Sequence, residues 1–134
     1  MIDRYVARAI ITDEKNKVLL GERARGVGKG QLALIGGKKE DNETLEEALI
    51  REVKEELDVE VIGYSYFTKT ITTIFEPGNW HTSYFETLTK GTPHPHPQEI
   101  KRIVYLTEEE LEGADIAFDH KTILREYFES KNRD

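Results

Sequence analysis

Apolar positions follow two rhythms along this chain. Residues 5–12 (YVARAIIT) and 17–23 (KVLLGER) carry the short apolar runs of strands, and the turn-forming DEKN at 13–16 lies between them. That pairing predicts a hairpin. QLALI at 31–35 reads as another short apolar strand, entered from the glycine-rich GVGKG at 26–30 and left through Gly36 and Gly37. The rhythm then changes, because Leu49, Val53 and Leu57 recur every four residues as the buried stripe of a helix. Thr44 followed by Glu47 is a capping box, which starts that helix at Leu45. Residues 59–66, 69–75, 81–89 and 100–106 return to β-branched and aromatic runs, broken by EPGN at 76–79 and KGTPHPHPQ at 90–98. Thr107 and Glu110 repeat the capping box before a short helix. Asp119 opens a last helix with Ile123, Leu124, Tyr127 and Phe128 on its apolar face. Strands alternating with helices in this way predict an α/β (α+β mixed) class, with a mixed β-sheet flanked by helices.

Length and charge narrow the picture. The 134 residues are read as one domain, 1–134, long enough for a real core. A net charge of −7 argues against binding a nucleic acid polymer or an acidic membrane surface, both of which need a basic footprint. Arg8 splits the early apolar run, so no signal peptide is expected, and no stretch approaches a membrane span. The absence of cysteine rules out disulfides and thiolate metal sites and suits a cytoplasmic location. Whether the chain is a monomer or a homodimer is left open.

One distribution of charge stands out. REVKEEL at 51–57 places Glu52, Glu55 and Glu56 at i, i+3 and i+4, within roughly 100° of arc on one helix face. Each like-charged pair costs about 0.2–0.5 kcal/mol on an exposed helix, which a bound divalent cation would offset. Glu56 also lies at the edge of the apolar stripe, where an unpaired carboxylate is costly. Just before the helix, residues 15–39 hold seven Lys or Arg against the single acid Glu22. A basic strip beside clustered carboxylates is what a site for phosphate plus metal needs. The glycine-rich 26–30 is no P-loop, since it lacks the Gly-Lys-Ser/Thr ending. His94 and His96, in a proline-punctuated loop, read as exposed residues.

The spacing around REVKEEL resembles the signature of the Nudix hydrolases over residues 37–59. Gly37 is followed after five residues by Glu43, and after seven more by Arg51-Glu52-Val53-Lys54-Glu55-Glu56-Leu57-Asp58-Val59. Asp58 departs from the pattern, standing where the family has a glycine that closes the helix in a left-handed conformation. The lead-in VLLGERARGVGKGQLALIGGKKE is also similar to the family's, with Leu32 and Ile35 in place of its common aromatic and proline.

The resemblance implies a Nudix-type α/β/α sandwich and an Mg²⁺-dependent pyrophosphohydrolase, with Mn²⁺ able to substitute. Glu55 and Glu56 would be metal ligands, Glu52 a ligand or the water-activating base, and Gly37 would offer its backbone carbonyl. Glu99 either completes the metal site or is a solvated loop acid. Glu43 and Arg51 would brace the loop on the helix. Arg23, Lys38 and Asp119 are assigned to the substrate, although Arg23 also reads as a surface charge and Asp119 as a plain N-cap. Trp80 either stacks on a base or packs. The implied reaction cleaves a small-molecule nucleotide: a nucleoside triphosphate to monophosphate and pyrophosphate, for instance a damaged nucleotide. The alternatives are an ADP-ribose or nucleotide-sugar pyrophosphatase and a non-catalytic nucleotide-binding regulatory module.

Overall fold

The chain alternates its side chains between two helical layers, and the first strand shows how. In the computed structural model, which describes residues 2–73 and 77–133, β1 (Asp3–Ile10) and its continuation send Ala7, Ala9 and Ile11 into one apolar cluster and Ile10 into another. Period-two alternation does this for any strand with both faces covered. α1 (Leu45–Leu57) fills the first cluster with Ala48, Leu49, Val53 and Leu57. α3 (His120–Lys131) fills the second with Ile123, Leu124, Tyr127 and Phe128. The expected helix–sheet–helix sandwich is therefore observed.

The strands form two sheets. β2 (Val18–Arg23), β3 (Leu32–Ala33) and β7 (Ile100–Leu106) make a three-stranded antiparallel sheet in the order β3-β2-β7. β4 (Ile35–Lys38), β1, β6 (Asn79–Lys90) and β5 (Glu60–Thr72) make the mixed sheet, in the order β4-β1-β6-β5, with β1 and β6 parallel. α2 (Glu108–Leu111) follows β7. Among the described residues no helix is long and apolar enough to cross a membrane.

Three expectations are corrected. The hairpin over 5–23 exists only at its neck, where Asp13 and Lys17 close the turn and Thr12 bridges Val18. Beyond that point β1 and β2 diverge into different sheets. Residues 31–35 are not one strand, because Leu34 separates β3 from β4 and the chain crosses between sheets there. The strands expected at 59–66 and 69–75 are one, β5, whose pairing with β6 shifts register between Val61 and Gly63 and between Tyr66 and Thr68. Bulges there disturb the alternation that a reader of the sequence follows. Residues 74 and 75 of the second expected strand, and Glu76 of the following turn, lie outside the described residues.

α1 begins and ends as its caps dictate. The Thr44 hydroxyl accepts from the Glu47 N–H at 3.1 Å, and the Glu47 carboxylate accepts from the Thr44 N–H at 2.8 Å. At the other end Asp58 takes the left-handed conformation (φ 55°, ψ 39°), and its N–H donates to the Lys54 carbonyl. Aspartate tolerates that region better than most residues, and Lys54 holds its carboxylate at 2.9 Å. The loop 91–99 then folds back on this terminus, since the His94 and His96 N–H groups donate to the carbonyls of Leu57 and Glu56. The histidine rings stay exposed.

Candidate active site

α1 presents its acidic face to the end of β4. Arg8, Arg23, Arg25, Gly36, Gly37, Lys38, Glu52, Glu55, Glu56 and Glu99 line one cleft of about 510 Å³, so every residue expected at the metal shares it with Arg23 and Lys38. Gly37 is packed against Glu52: a Cβ there would sit 2.6–2.8 Å from that carboxylate.

Arg51 organises the rim. Its Nε and Nη2 donate to both oxygens of Glu43, at 3.0 and 2.6 Å, and its Nη1 donates to Glu52 at 2.9 Å and Glu55 at 3.2 Å. Nη2 also donates to the Lys38 carbonyl, which ties α1 to the loop after β4. The Arg51 hydrogen bonds, helped by the Glu40 N–H, pull the Glu43 carboxyl down to about 2 from its ordinary 4.5. A lowered folded value means that this group stabilises the fold above pH 4.5 and loses that effect as pH falls through about 2. The thermal midpoint is expected to drop across that window, and less steeply in Glu43→Gln, which has no proton to gain.

Glu56 is the buried member of the cluster, 6% exposed. Its Oε2 accepts from the Gly36 N–H at 3.2 Å. Burial pushes its carboxyl well above 4.5; the Arg8 charge opposes this, and Glu52, by hydrogen bond and by charge, adds to it. Among the described residues no three acidic or imidazole side chains already converge as a coordination sphere. Arg51 holds Glu52 and Glu55, and Arg25 pairs with Glu99. The donor set still fits a hard divalent cation: it is all oxygen, it lines one cleft, and its buried carboxyl needs positive charge to ionise.

A second cavity, about 130 Å³, opens beside the cleft and shares Arg8 and Arg23 with it. Trp80, Tyr84, Phe118, Asp119 and His120 supply its other principal walls. The Arg23 and Arg8 guanidinium groups lie 4.9 and 5.7 Å from the Phe118 ring centre, and Arg23 Nε donates to the Val27 carbonyl. Asp119 occupies the N-cap position of α3 yet makes no side-chain cap hydrogen bond. It accepts instead from the Tyr84 hydroxyl at 3.0 Å, on the wall of the cavity. Trp80 lines the cavity too, with its indole Nε1 buried and unpartnered among the described residues.

Four of these wall residues escape a reading of the sequence. Arg8 left a signal, a charge at an inward position of an apolar strand, and its Nη1 donates to the carbonyls of Leu34 and Gly36 at 3.0 and 3.1 Å. Tyr84, Phe118 and His120 left none, being ordinary residues of a strand and a helix entrance.

With this geometry in place, comparison with known proteins identifies the class. A NUDIX domain model matches residues 3–127, and the chain belongs to that family. It is accordingly a hydrolase of phosphoric anhydride bonds, in a family that generally uses divalent cations. An ADP-ribose pyrophosphatase of Methanocaldococcus jannaschii is 29% identical over 137 residues, covering 91% of this chain and 72% of that protein. An 8-oxo-dGTP diphosphatase of Proteus vulgaris is 40% identical over 58 residues, 42% of this chain and 52% of that protein. The MutT protein of Methanosarcina mazei superimposes with a TM-score of 0.85 at 20% identity, covering 98% of this chain and 96% of that one, which shows the shared fold.

Proposed function

We propose that this chain hydrolyses a nucleoside triphosphate to the monophosphate and pyrophosphate, with Mg²⁺ as cofactor and Mn²⁺ able to replace it. The observation that carries this reading is the adjacency of two unlike spaces, an aromatic cavity and an acidic cleft, joined by Arg8 and Arg23. A base in the first space puts the phosphates of the same nucleotide across the two guanidinium groups and into the second.

Glu52, Glu55, Glu56, Glu99 and the Gly37 carbonyl are the groups that would hold the cation. When bound, it would neutralise charge growing on the phosphoryl oxygens and lower the pKa of a bound water. Water adds to phosphorus as the bond to the bridging oxygen breaks, and one of the helix glutamates takes the water's proton, with Glu52 the ligand or the base. Arg23 and Lys38 bind phosphate oxygens, for which guanidinium and ammonium donors are suited. Asp119 meets the base, and Trp80 offers it an aromatic face. Glu43 and Arg51 keep the loop and the helix in register. Because all the helix glutamates are present, a regulatory module without catalysis is the weaker alternative.

A second reading, cleavage of ADP-ribose or a nucleotide sugar, is favoured by the similarity to the M. jannaschii ADP-ribose pyrophosphatase along most of this chain. A panel of nucleoside triphosphates, ADP-ribose, nucleotide sugars and dinucleoside polyphosphates separates the two. The expected result is pyrophosphate plus a monophosphate from a triphosphate in Mg²⁺, and nothing in chelator. Turnover of ADP-ribose with none of any triphosphate would overturn the proposal.

A further inference from the structure

Two arginines hold carboxylates of the acidic cleft, and they are tied to the fold very differently. Arg51, whose side chain is 25% exposed, divides its donors among Glu43, Glu52, Glu55 and the Lys38 carbonyl. Losing one acid leaves it held by the rest. Arg25 stands on the loop after β2 with its side chain 71% exposed, and Glu99 is its one side-chain partner among the described residues. The backbones beneath that pair are joined by the Ala24 N–H, which donates to the Glu99 carbonyl at 3.0 Å.

A divalent cation entering the cleft meets both arginines as competitors for its ligands. Held by Glu99, it brings two positive charges against the Arg25 guanidinium, which the cation repels. An ion pair this exposed is weak, and Arg25 has no second tie to keep it in place. Arg25 gives way, and Arg51 stays. Arg25 and Glu99 both line the acidic cleft, and Arg25 is no wall of the aromatic cavity. The new anion within its reach is therefore a phosphate lying in the cleft, for which its fork of donors is suited.

We propose that Arg25 is a substrate-binding residue that exchanges partners: it neutralises Glu99 until a divalent cation takes that carboxylate, and it then binds phosphate oxygens of the substrate in the cleft. This rests on the reading of Glu99 as a metal ligand. Cation and phosphate then favour each other's binding through one side chain, over and above the direct attraction between them. Linkage makes the exchange reciprocal: the factor by which Arg25 weakens the cation without phosphate is the factor by which Glu99 weakens Arg25 toward phosphate without the cation.

The test is calorimetric titration of the intact chain with Mn²⁺ alone, with inorganic pyrophosphate in Mg²⁺, and with pyrophosphate in chelator. Arg25→Gln is expected to bind Mn²⁺ about two- to fivefold more tightly than the wild type, because a competitor for Glu99 is gone. Lys29→Gln removes the same charge from an exposed position of the same loop, outside the cleft, and should leave Mn²⁺ binding unchanged. In Mg²⁺ the Arg25→Gln variant should bind pyrophosphate about tenfold more weakly, having lost a charge-assisted pair. In chelator that loss should be smaller by about the same two- to fivefold. The side chain is exposed, so the variant should melt with the wild type. Mn²⁺ binding no tighter in Arg25→Gln overturns the proposal, as does equal tightening in Lys29→Gln or a pyrophosphate loss that is the same with and without the cation. Glu99→Gln tests the reading beneath it and is expected to weaken Mn²⁺ binding. Unchanged binding there removes Glu99 from the metal site and the exchange with it. Weakened binding there, beside an Arg25→Gln that behaves as wild type, sinks the exchange alone.

Discussion

Glu56→Gln is expected to lower turnover by about two to three orders of magnitude, the scale found when one group that stabilises transition-state charge is removed. The fold should survive it. The substituted amide is isosteric with the carboxyl, and burial already favours the uncharged form of Glu56. Because the folded value is raised, the folded chain binds the proton more tightly than the unfolded chain does. The uncharged form's stabilising effect is therefore complete below pH 4.5 and is lost as pH rises toward the higher folded value. Thermal melts in chelator should show wild-type stability falling as pH rises above 4.5, and the Gln variant should lack that part of the slope. Saturating Mg²⁺ should reduce the slope in the wild type alone, since cation binding favours the ionised carboxylate. A variant that keeps wild-type turnover would remove Glu56 from the catalytic set. An unchanged pH slope would show that its burial has no thermodynamic effect.

Gly36→Ala should be the most destructive small substitution in the chain, at more than about 4 kcal/mol of destabilisation. Gly36 sits at φ +147° opposite Arg8 in the β1–β4 ladder, and a Cβ there would lie 2.0 Å from the Ala7 carbonyl oxygen. Backbone cannot yield as a side-chain tip can, so either β4 detaches from β1 or the chain fails to fold. Domains are stable by only about 5–15 kcal/mol, so a large part of that margin is expected to go, visible in circular dichroism as a much lowered melting temperature. Gly37→Ala is the control. The clash there is with the flexible Glu52 carboxylate, and this variant should fold while Glu52 is displaced. If Gly36→Ala melted like the wild type, the close approach of β4 to β1 would be wrong.

These two glycines show where the sequence was informative. Gly37 lies in one stretch of chain with Glu43 and the helix glutamates, so the resemblance to the family signature could bring it to the site, while Gly36 showed only as the end of a strand. The limits of α1 were legible for the same reason: Thr44, Glu47 and Asp58 are local devices, and the capping box and the left-handed cap both form. β7 and α2 also stand where the pattern puts them. The split at Leu34 was hidden, because an unbroken apolar run cannot report that two diverging sheets each claim one end of it. β5 looked like two strands because its bulges shift the register of its pairing with β6. The aromatic cavity was scarcely visible, since its walls come from β1, β2, β5, β6 and the entrance to α3, and only folding brings them together. Arg8 was the exception that could have been weighed more heavily, because a guanidinium at an inward strand position must find oxygen partners inside.

Leu34, the residue between the two sheets, has its N–H held by His120 and its carbonyl held by Arg8. The two peptide groups that flank one residue are therefore clamped by side chains that line the aromatic cavity. Sliding one sheet past the other would pull on both clamps at once, so the pair acts as a pin through the joint of the sandwich. The aromatic cavity and the glycine turn that borders the carboxylates are in this sense one mechanical part.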